Sequence, residues 1–284
     1  MRGIAVIAGI AVGFAGLCAC SGTKMQPTPG PNPAPSAVPD HIVVVMEENH
    51  SYSEIIGSAA APYINSLAGQ GALFTQSFAV AHPSQPNYLA LFSGSTQSIT
   101  DDSCPHTFSG SSLESELTSA GKTFTGYSEG LPQAGSTTCG SGEYARKHAP
   151  WSDFSTDQPS NSQPFASFPS AFSSLPLVSF VIPDLVDDMH DGTIQQADTW
   201  MKSNLSAYVN WAMSHNSVLI LTWDEDDGTE NNQIPTIIVG AGVKPGQYSE
   251  KVNHYNVLRT IENLYGLPAL GSAENAAPIS DIWQ

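Results

Sequence analysis

The chain reads as an α/β protein, a three-layer α/β/α sandwich around a mostly parallel central sheet. Three observations predict this. Runs at 41–46, 177–182 and 218–223 are apolar almost throughout rather than alternating, the mark of strands buried on both faces. Stretches with apolar residues three and four apart, such as Ile194, Ala197, Met201, Leu205, Tyr208 and Ala212, read as amphipathic helices. The two patterns alternate along the chain, which implies crossovers that cover both faces of a sheet.

The elements follow in order. Residues 41–46 form the first strand. Pro62 takes a first helical position, with Ile64, Leu67 and Ala68 on one side and Gly69 and Gly71 as stops. Residues 73–80 read as a strand, and Pro86 begins a short helix over 87–93. Ser111, Ser112 and Glu114 give a capping-box pattern for a helix through Leu117 to Gly121. Residues 123–127 read as a strand. The Ser/Gln/Pro-rich stretch 152–176 is irregular, and the strand 177–182 stops at Pro183. A long surface helix over 194–212 leads to the strand 218–223, then to another over 234–239. Val257, Ile261 and Leu264 mark the last helix, with Gly266 as its stop.

The N-terminus is a targeting segment outside this pattern. Met1-Arg2 precedes an apolar run from Ile4 to Leu17, too short for an ordinary membrane span and fitting a signal h-region. It ends in Leu17-Cys18-Ala19-Cys20, which resembles a lipobox with Cys20 as the lipid acceptor. Cleavage near Ala19 with plain secretion is the other reading. Residues 21–39 are Pro-rich and almost uncharged, an extended disordered stalk, so the catalytic domain is expected over 40–284. The protein is therefore expected outside the cytoplasm, tethered to a membrane by an N-terminal lipid anchor or secreted. In an oxidising compartment Cys104 and Cys139 are expected to pair, worth roughly 3–4 kcal/mol by chain entropy. A two-thiol metal site is the alternative.

Composition narrows the partners. The 284 residues carry 26 acidic and 9 basic side chains, a net charge of -17, which argues against nucleic acid and anionic lipid surfaces. Charged residues are only 12%, against about 25% in ordinary globular proteins, so acidic clusters stand out. Three of them follow strands: Glu47-Glu48-Asn49, Asp184 with Asp187-Asp188, and Asp224-Glu225-Asp226-Asp227. Ligands in open α/β sheets sit at those strand ends. Converging carboxylates need a cation between them, and oxygen donors suit one hard divalent metal ion. Asp226 and Asp227 are as plausible as Glu225 for such contact. Ser84, between two prolines before a helix, is placed for anion chemistry or as a simple helix cap.

The segments EEN (47–49), HPSQPNYLALFSG (82–94), YARKHAPW (144–151), DMHDGTIQQADTWM (188–201), TWDEDDG (222–228) and NHYNVLRTIENLYG (253–266) occur in that order. Together they resemble the bacterial phosphoesterase family of phospholipases C and acid phosphatases, within the alkaline-phosphatase-like superfamily. The resemblance covers about residues 40–284 and is strongest to the secreted acid phosphatases of mycobacteria. It implies a hydrolase of phosphate monoesters, with phosphoinositides among the substrates, working through a phosphoserine on Ser84. It implies Glu48, Asn49, Asp224 and Glu225 as metal ligands. It implies His190 and His254 as phosphoryl contacts or proton donors, and Lys147 and His148 as substrate contacts. His41, His50, His82, His106 and His215 are left as structural or exposed. The phospholipase C branch carries further C-terminal domains that are not present here, which favours a monoesterase. A phosphodiesterase and a non-catalytic metal- or phosphate-binding surface lipoprotein are the competing readings.

Overall fold

A computed structural model describes residues 38–284, with isolated positions 1, 3 and 9. The expected h-region, Cys20 and the stalk through residue 37 lie outside the described residues. In chain order the strands are β1 (His41–Glu47), β2 (Ala72–Phe78), β3 (Phe124–Ser128), β4 (Gly140–Ser141), β5 (Tyr144–Ala145), β6 (Ser162–Pro164), β7 (Val178–Ile182), β8 (Ser217–Trp223), β9 (Thr236–Gly240) and β10 (Gly246–Asn253). The helices are α1 (Tyr52–Ile55), α2 (Pro62–Gln70), α3 (Ser84–Ser93), α4 (Leu113–Ser119), α5 (Ile194–Ala212) and α6 (His254–Tyr265).

Eight strands form one sheet in the order β10-β2-β9-β8-β1-β7-β3-β6. All pairings are parallel except those of β9, which runs antiparallel to both β2 and β8. β9 returns directly alongside β8 because the connection 224–235 forms a loop with no helix to carry the chain back across the sheet for a parallel return. β1 sits between β7 and β8, and its even and odd residues divide between two cores. Ile42, Val44 and Met46 pack toward α3, α4 and α6. Val43 and Val45 pack toward α2 and α5. Each such buried aliphatic side chain contributes roughly 1.5–3 kcal/mol of transfer free energy. The three-layer expectation is therefore met.

Local sequence explains the differences. β10 lies at the sheet edge and is mostly exposed, so it lacks the apolar run that marks the inner strands. β6 is a three-residue edge strand inside the segment read as irregular. α3 starts at Ser84, two residues before the expected Pro86, and all ten of its residues are buried. α4 is capped by Ser112, whose box partner is Ser115 rather than the expected Glu114. Glu114 instead accepts from the Gln158 amide at 2.8 Å and the Asn161 side chain at 2.7 Å, anchoring the irregular stretch. Gly126 in β3 is required by a close approach, because a Cβ there would collide with the Trp151 indole.

Cys104 and Cys139 form a disulfide with Cα atoms 5.8 Å apart, as expected from the sequence. No helix among the described residues is long and apolar enough to cross a membrane.

Candidate active site

The residue after β1, Glu48, turns toward α3, and its side chain is fully buried. Its Oε1 accepts from the Tyr88 hydroxyl at 2.7 Å and lies 3.0 Å from His148 Nε2. Its Oε2 accepts from Ser84 Oγ at 3.0 Å. Ser84 is the first residue of α3, and Tyr88 follows one turn later on the same face. The Ser84 hydroxyl also approaches Glu225 Oε1 at 3.4 Å and lies near the Asp224 carboxyl. Asp224 is fixed in turn by the Asn49 backbone N–H, which donates to its Oδ1 at 3.0 Å from a residue at φ 55. Three carboxylates thus converge on one serine hydroxyl at a helix N-terminus.

That convergence is electrostatically costly. Burial pushes the Glu48 carboxyl well above its usual range, and the charges of Asp224 and Asp188 add to the effect. Burial and then Glu225 push Asp224 up to about 7, while burial and then Asp102 push Glu225 up to about 7. Asp224 Oδ2 is buried with no partner among the described residues. Hard oxygen donors that resist ionisation and keep an unpartnered oxygen fit a divalent cation. A second set with fitting geometry is Glu48, His148 and Asp188, whose donor atoms lie within 4.8 Å of one another.

The opposite wall is basic. Lys147 Nζ lies 2.8 Å from Asp102 Oδ2 and 3.3 Å from His190 Nε2. Burial alone would lower the Lys147 ammonium, but the bond to Asp102 and the charges of Glu48, Asp102 and Asp224 outweigh it and raise it. The His190 ring is oriented by Asp191, 2.8 Å from its Nδ1. His148 is sandwiched between Tyr88, on which it stacks at 4.7 Å, and the carboxylates of Glu48 and Asp188. Burial, then Lys147 and His190, hold its imidazole well below the usual range, so it is neutral. Arg146 beside it is taken up by Asp153 at 2.9 Å.

The structure brings together Glu48, Asn49, Ser84, Asp224 and Glu225, and sets Lys147, His148 and His190 around them. His254 is placed differently. Its Nε2 donates to the Trp223 carbonyl at 2.9 Å, and burial pushes its pKa down to about 4. Its Nδ1 is therefore a bare, buried lone pair with no partner among the described residues. The acids after β8 also differ in their partners. Asp226 accepts from the backbone N–H groups of Gly228, Glu230 and Asn232 and so folds its own loop. Asp227 caps Thr229 at the surface.

Sequence reasoning missed three neighbours, His82, Tyr88 and Asp102. His82, set aside as structural or exposed, places Nδ1 2.5 Å from Glu225 Oε2. Its position two residues before Ser84 was the available signal. Tyr88 was legible from its spacing of four to Ser84. Asp102 also accepts from the Gln85 amide in the first turn of α3, at 2.9 Å, whereas Asp188, already marked in the acidic cluster after the 177–182 strand, lies under His148. Asp102 carried no local signal, because only the tertiary fold brings its loop to the site.

The sequence profile of the phosphoesterase family matches residues 58–268. The chain is 54% identical to a phosphatidylinositol-3-phosphatase of Mycobacterium tuberculosis over 88% of this chain and 85% of that protein. It is 29% identical to an acid phosphatase of Aspergillus fumigatus over 83% of this chain, but spans only 57% of the fungal protein. A protein in the alkaline phosphatase superfamily from Vibrio parahaemolyticus superposes with a TM-score of 0.63 at 13% identity, covering 90% of this chain and 74% of that one. A lipoteichoic acid synthase of Listeria monocytogenes gives 0.65 at 10% identity, over 88% and 78%. At such identities the structural likeness establishes the fold alone.

Proposed function

The chain belongs to the phosphoesterase family, hydrolases of phosphate esters, and from that premise we propose that it cleaves phosphate monoesters through a phosphoserine on Ser84. The observation that carries this reading is the Ser84 hydroxyl, 3.0 Å from Glu48 at the start of a buried helix. The helix dipole there favours a phosphoryl group. Glu48, Asn49, Asp224 and Glu225 would hold one divalent ion. When bound, it supplies charge neutralisation and a lowered hydroxyl pKa.

The rest falls to the chain's own side chains. Glu48 Oε2, the nearer acceptor, takes the Ser84 proton as Oγ attacks phosphorus, and Glu225 Oε1 lies beside the same hydroxyl. Lys147 and His190 receive the phosphoryl oxygens that face away from the helix. His190, when protonated, gives its Nε2 proton to the departing alkoxide, a role typically worth about 10²–10⁴-fold. His254 is assigned elsewhere: with Nε2 already committed to Trp223, it has no proton to offer the substrate above about pH 4. It instead fixes the strand end that carries Asp224. Water then releases phosphate from Ser84. The two negative charges of a monoester suit a wall that offers Lys147 and His190 together, which favours a monoester over a diester.

The substrate class extends to phosphoinositide headgroups on the strength of the 54% identical relative. Export through the N-terminal segment, with a lipid anchor on Cys20 or release, completes the proposal. Ser84→Ala is expected to abolish phosphate release from p-nitrophenyl phosphate while leaving the melting temperature within a few degrees. Retained turnover would falsify the nucleophile. Running bis(p-nitrophenyl) phosphate alongside, with and without chelator, tests the monoester preference and the metal requirement in the same assay.

A further inference from the structure

We propose that the chain holds a second cation site, for a hard divalent ion of the calcium type, on the sheet face opposite Ser84. Its members come from neighbouring strand ends. Glu129 follows β3, Asp184 and Asp187 follow β7, and β7 lies between β1 and β3. One carboxylate oxygen from each of these three residues falls within 4.8 Å of the others. None of them is ion-paired to a basic side chain among the described residues.

An acidic cluster at a surface is ordinary, and the observation that lifts this one is Glu47. Its side chain is 0% exposed, and neither carboxylate oxygen has a hydrogen-bond partner among the described residues. Odd residues of β1 face α5, as Val43 and Val45 do, so Glu47 lies on that side. Tyr127 faces the same way from β3, which puts Glu129, two residues on, on the same face. Val45 and Tyr127 both pair with Val181 of β7, so Glu47 and Glu129, each two residues further on, stand at one level on either side of the β7 end. A buried carboxylate with no donor, turned toward further carboxylates, calls for a cation. Oxygen-only donors from loop residues match calcium better than the strict octahedron of magnesium.

The site reaches the catalytic side through the backbone. The Asp188 amide donates to the Asp184 carbonyl at 2.8 Å, and the Glu48 amide donates to the Asp188 carbonyl at 2.8 Å. An ion on Asp184 and Asp187 therefore braces the loop that presents Asp188 and His190.

The test uses the full chain, stripped with chelator, and terbium luminescence sensitised by tryptophan. Trp200 borders the same cleft as Asp187 and sits beside Glu129. We expect saturable luminescence that calcium displaces, retained in Asp224→Asn and reduced at least tenfold in the Glu129→Gln/Asp187→Asn double variant. Trp200→Phe should lose most of the luminescence yet keep calcium binding by calorimetry, and it decides the matter if the double variant fails to fold. Luminescence that is unchanged in the double variant or in Trp200→Phe overturns the proposal. So does an Asp224→Asn chain that binds no calcium, the result expected if Asp187 and Glu129 merely share a proton.

Discussion

Tyr88 donates its hydroxyl to Glu48 Oε1 at 2.7 Å, which leaves Oε2 to meet Ser84. The two carboxylate oxygens thus have separate duties, one tied to α3 by a neutral donor and one facing the reacting group. Burial works against the ionised form of Glu48, and the Tyr88 bond works for it. Tyr88→Phe should therefore cost about 1–3 kcal/mol of stability and weaken activation by divalent ions about 10–100-fold. Thermal melting and a metal titration of activity would measure both. An unchanged metal titration would remove Tyr88 from the account.

Asp102 joins Lys147 to the first turn of α3, with bonds of 2.8 Å to Nζ and 2.9 Å from the Gln85 amide. Asp102→Asn keeps the shape but leaves Lys147 without its counter-charge. The expected outcome is a rise in KM for monoesters of roughly tenfold, with kcat less affected, as for lost binding of ground and transition states alike. Steady-state kinetics on p-nitrophenyl phosphate check it, and an equal fall in kcat alone would contradict it.

Much of this arrangement was legible in the sequence, and the limits have physical causes. Inner strands announce themselves because both faces are buried, and the acidic groups at their C-terminal ends are displaced from the hydrophobic pattern, so Glu48 and Asp224 could be picked out, while Glu225 rested on the family resemblance. β10 and β6 could not, since edge strands share the composition of loops. Asp102 joins the site by tertiary packing alone. The different circumstances of Glu225 and Asp226, adjacent and alike in chemistry, depend on a loop closure that no local pattern encodes. His254 matched a family segment, yet its tautomer is set by the Trp223 carbonyl, a contact visible only once β8 and α6 are packed.

Asp157 offers a test of the pH response away from the catalytic centre. Burial pushes its carboxyl from 3.8 up to about 7, partly offset by the Ser112 hydroxyl donating at 2.6 Å. Between those values the folded chain binds a proton that the unfolded chain releases, so this group's contribution to stability falls as pH rises through the window. Asp157→Asn retains an acceptor for Ser112 and removes the charge. It should stabilise the protein by on the order of 1–3 kcal/mol near pH 8 and by nothing near pH 4. Melting temperatures of both chains across that range decide it, and a pH-independent difference would count against it.

The Cys104–Cys139 bond joins the segment just after Asp102 to the one just before Lys147, where the Cys139 carbonyl accepts from the Arg146 amide at 3.0 Å. Reduction should lower stability by about 3–4 kcal/mol and also raise KM, since the Asp102–Lys147 pair loses its covalent support. Melting and kinetics with and without reductant test the pairing of the two effects. A loss of stability at constant KM would confine the disulfide to a structural role.

Glu47 and Glu48 are consecutive, yet one faces α5 and the other meets Ser84. Strand alternation makes the end of β1 a divider that serves each side of the sheet with one carboxylate. The arrangement hangs on parity: inserting or deleting a single residue within β1 would exchange the two side chains across the sheet. Because β1 is held in register on both flanks, by β7 and by β8, a change in its length would displace both carboxylates, whereas a substitution leaves their places intact. Its seven residues work as a ruler as much as a core.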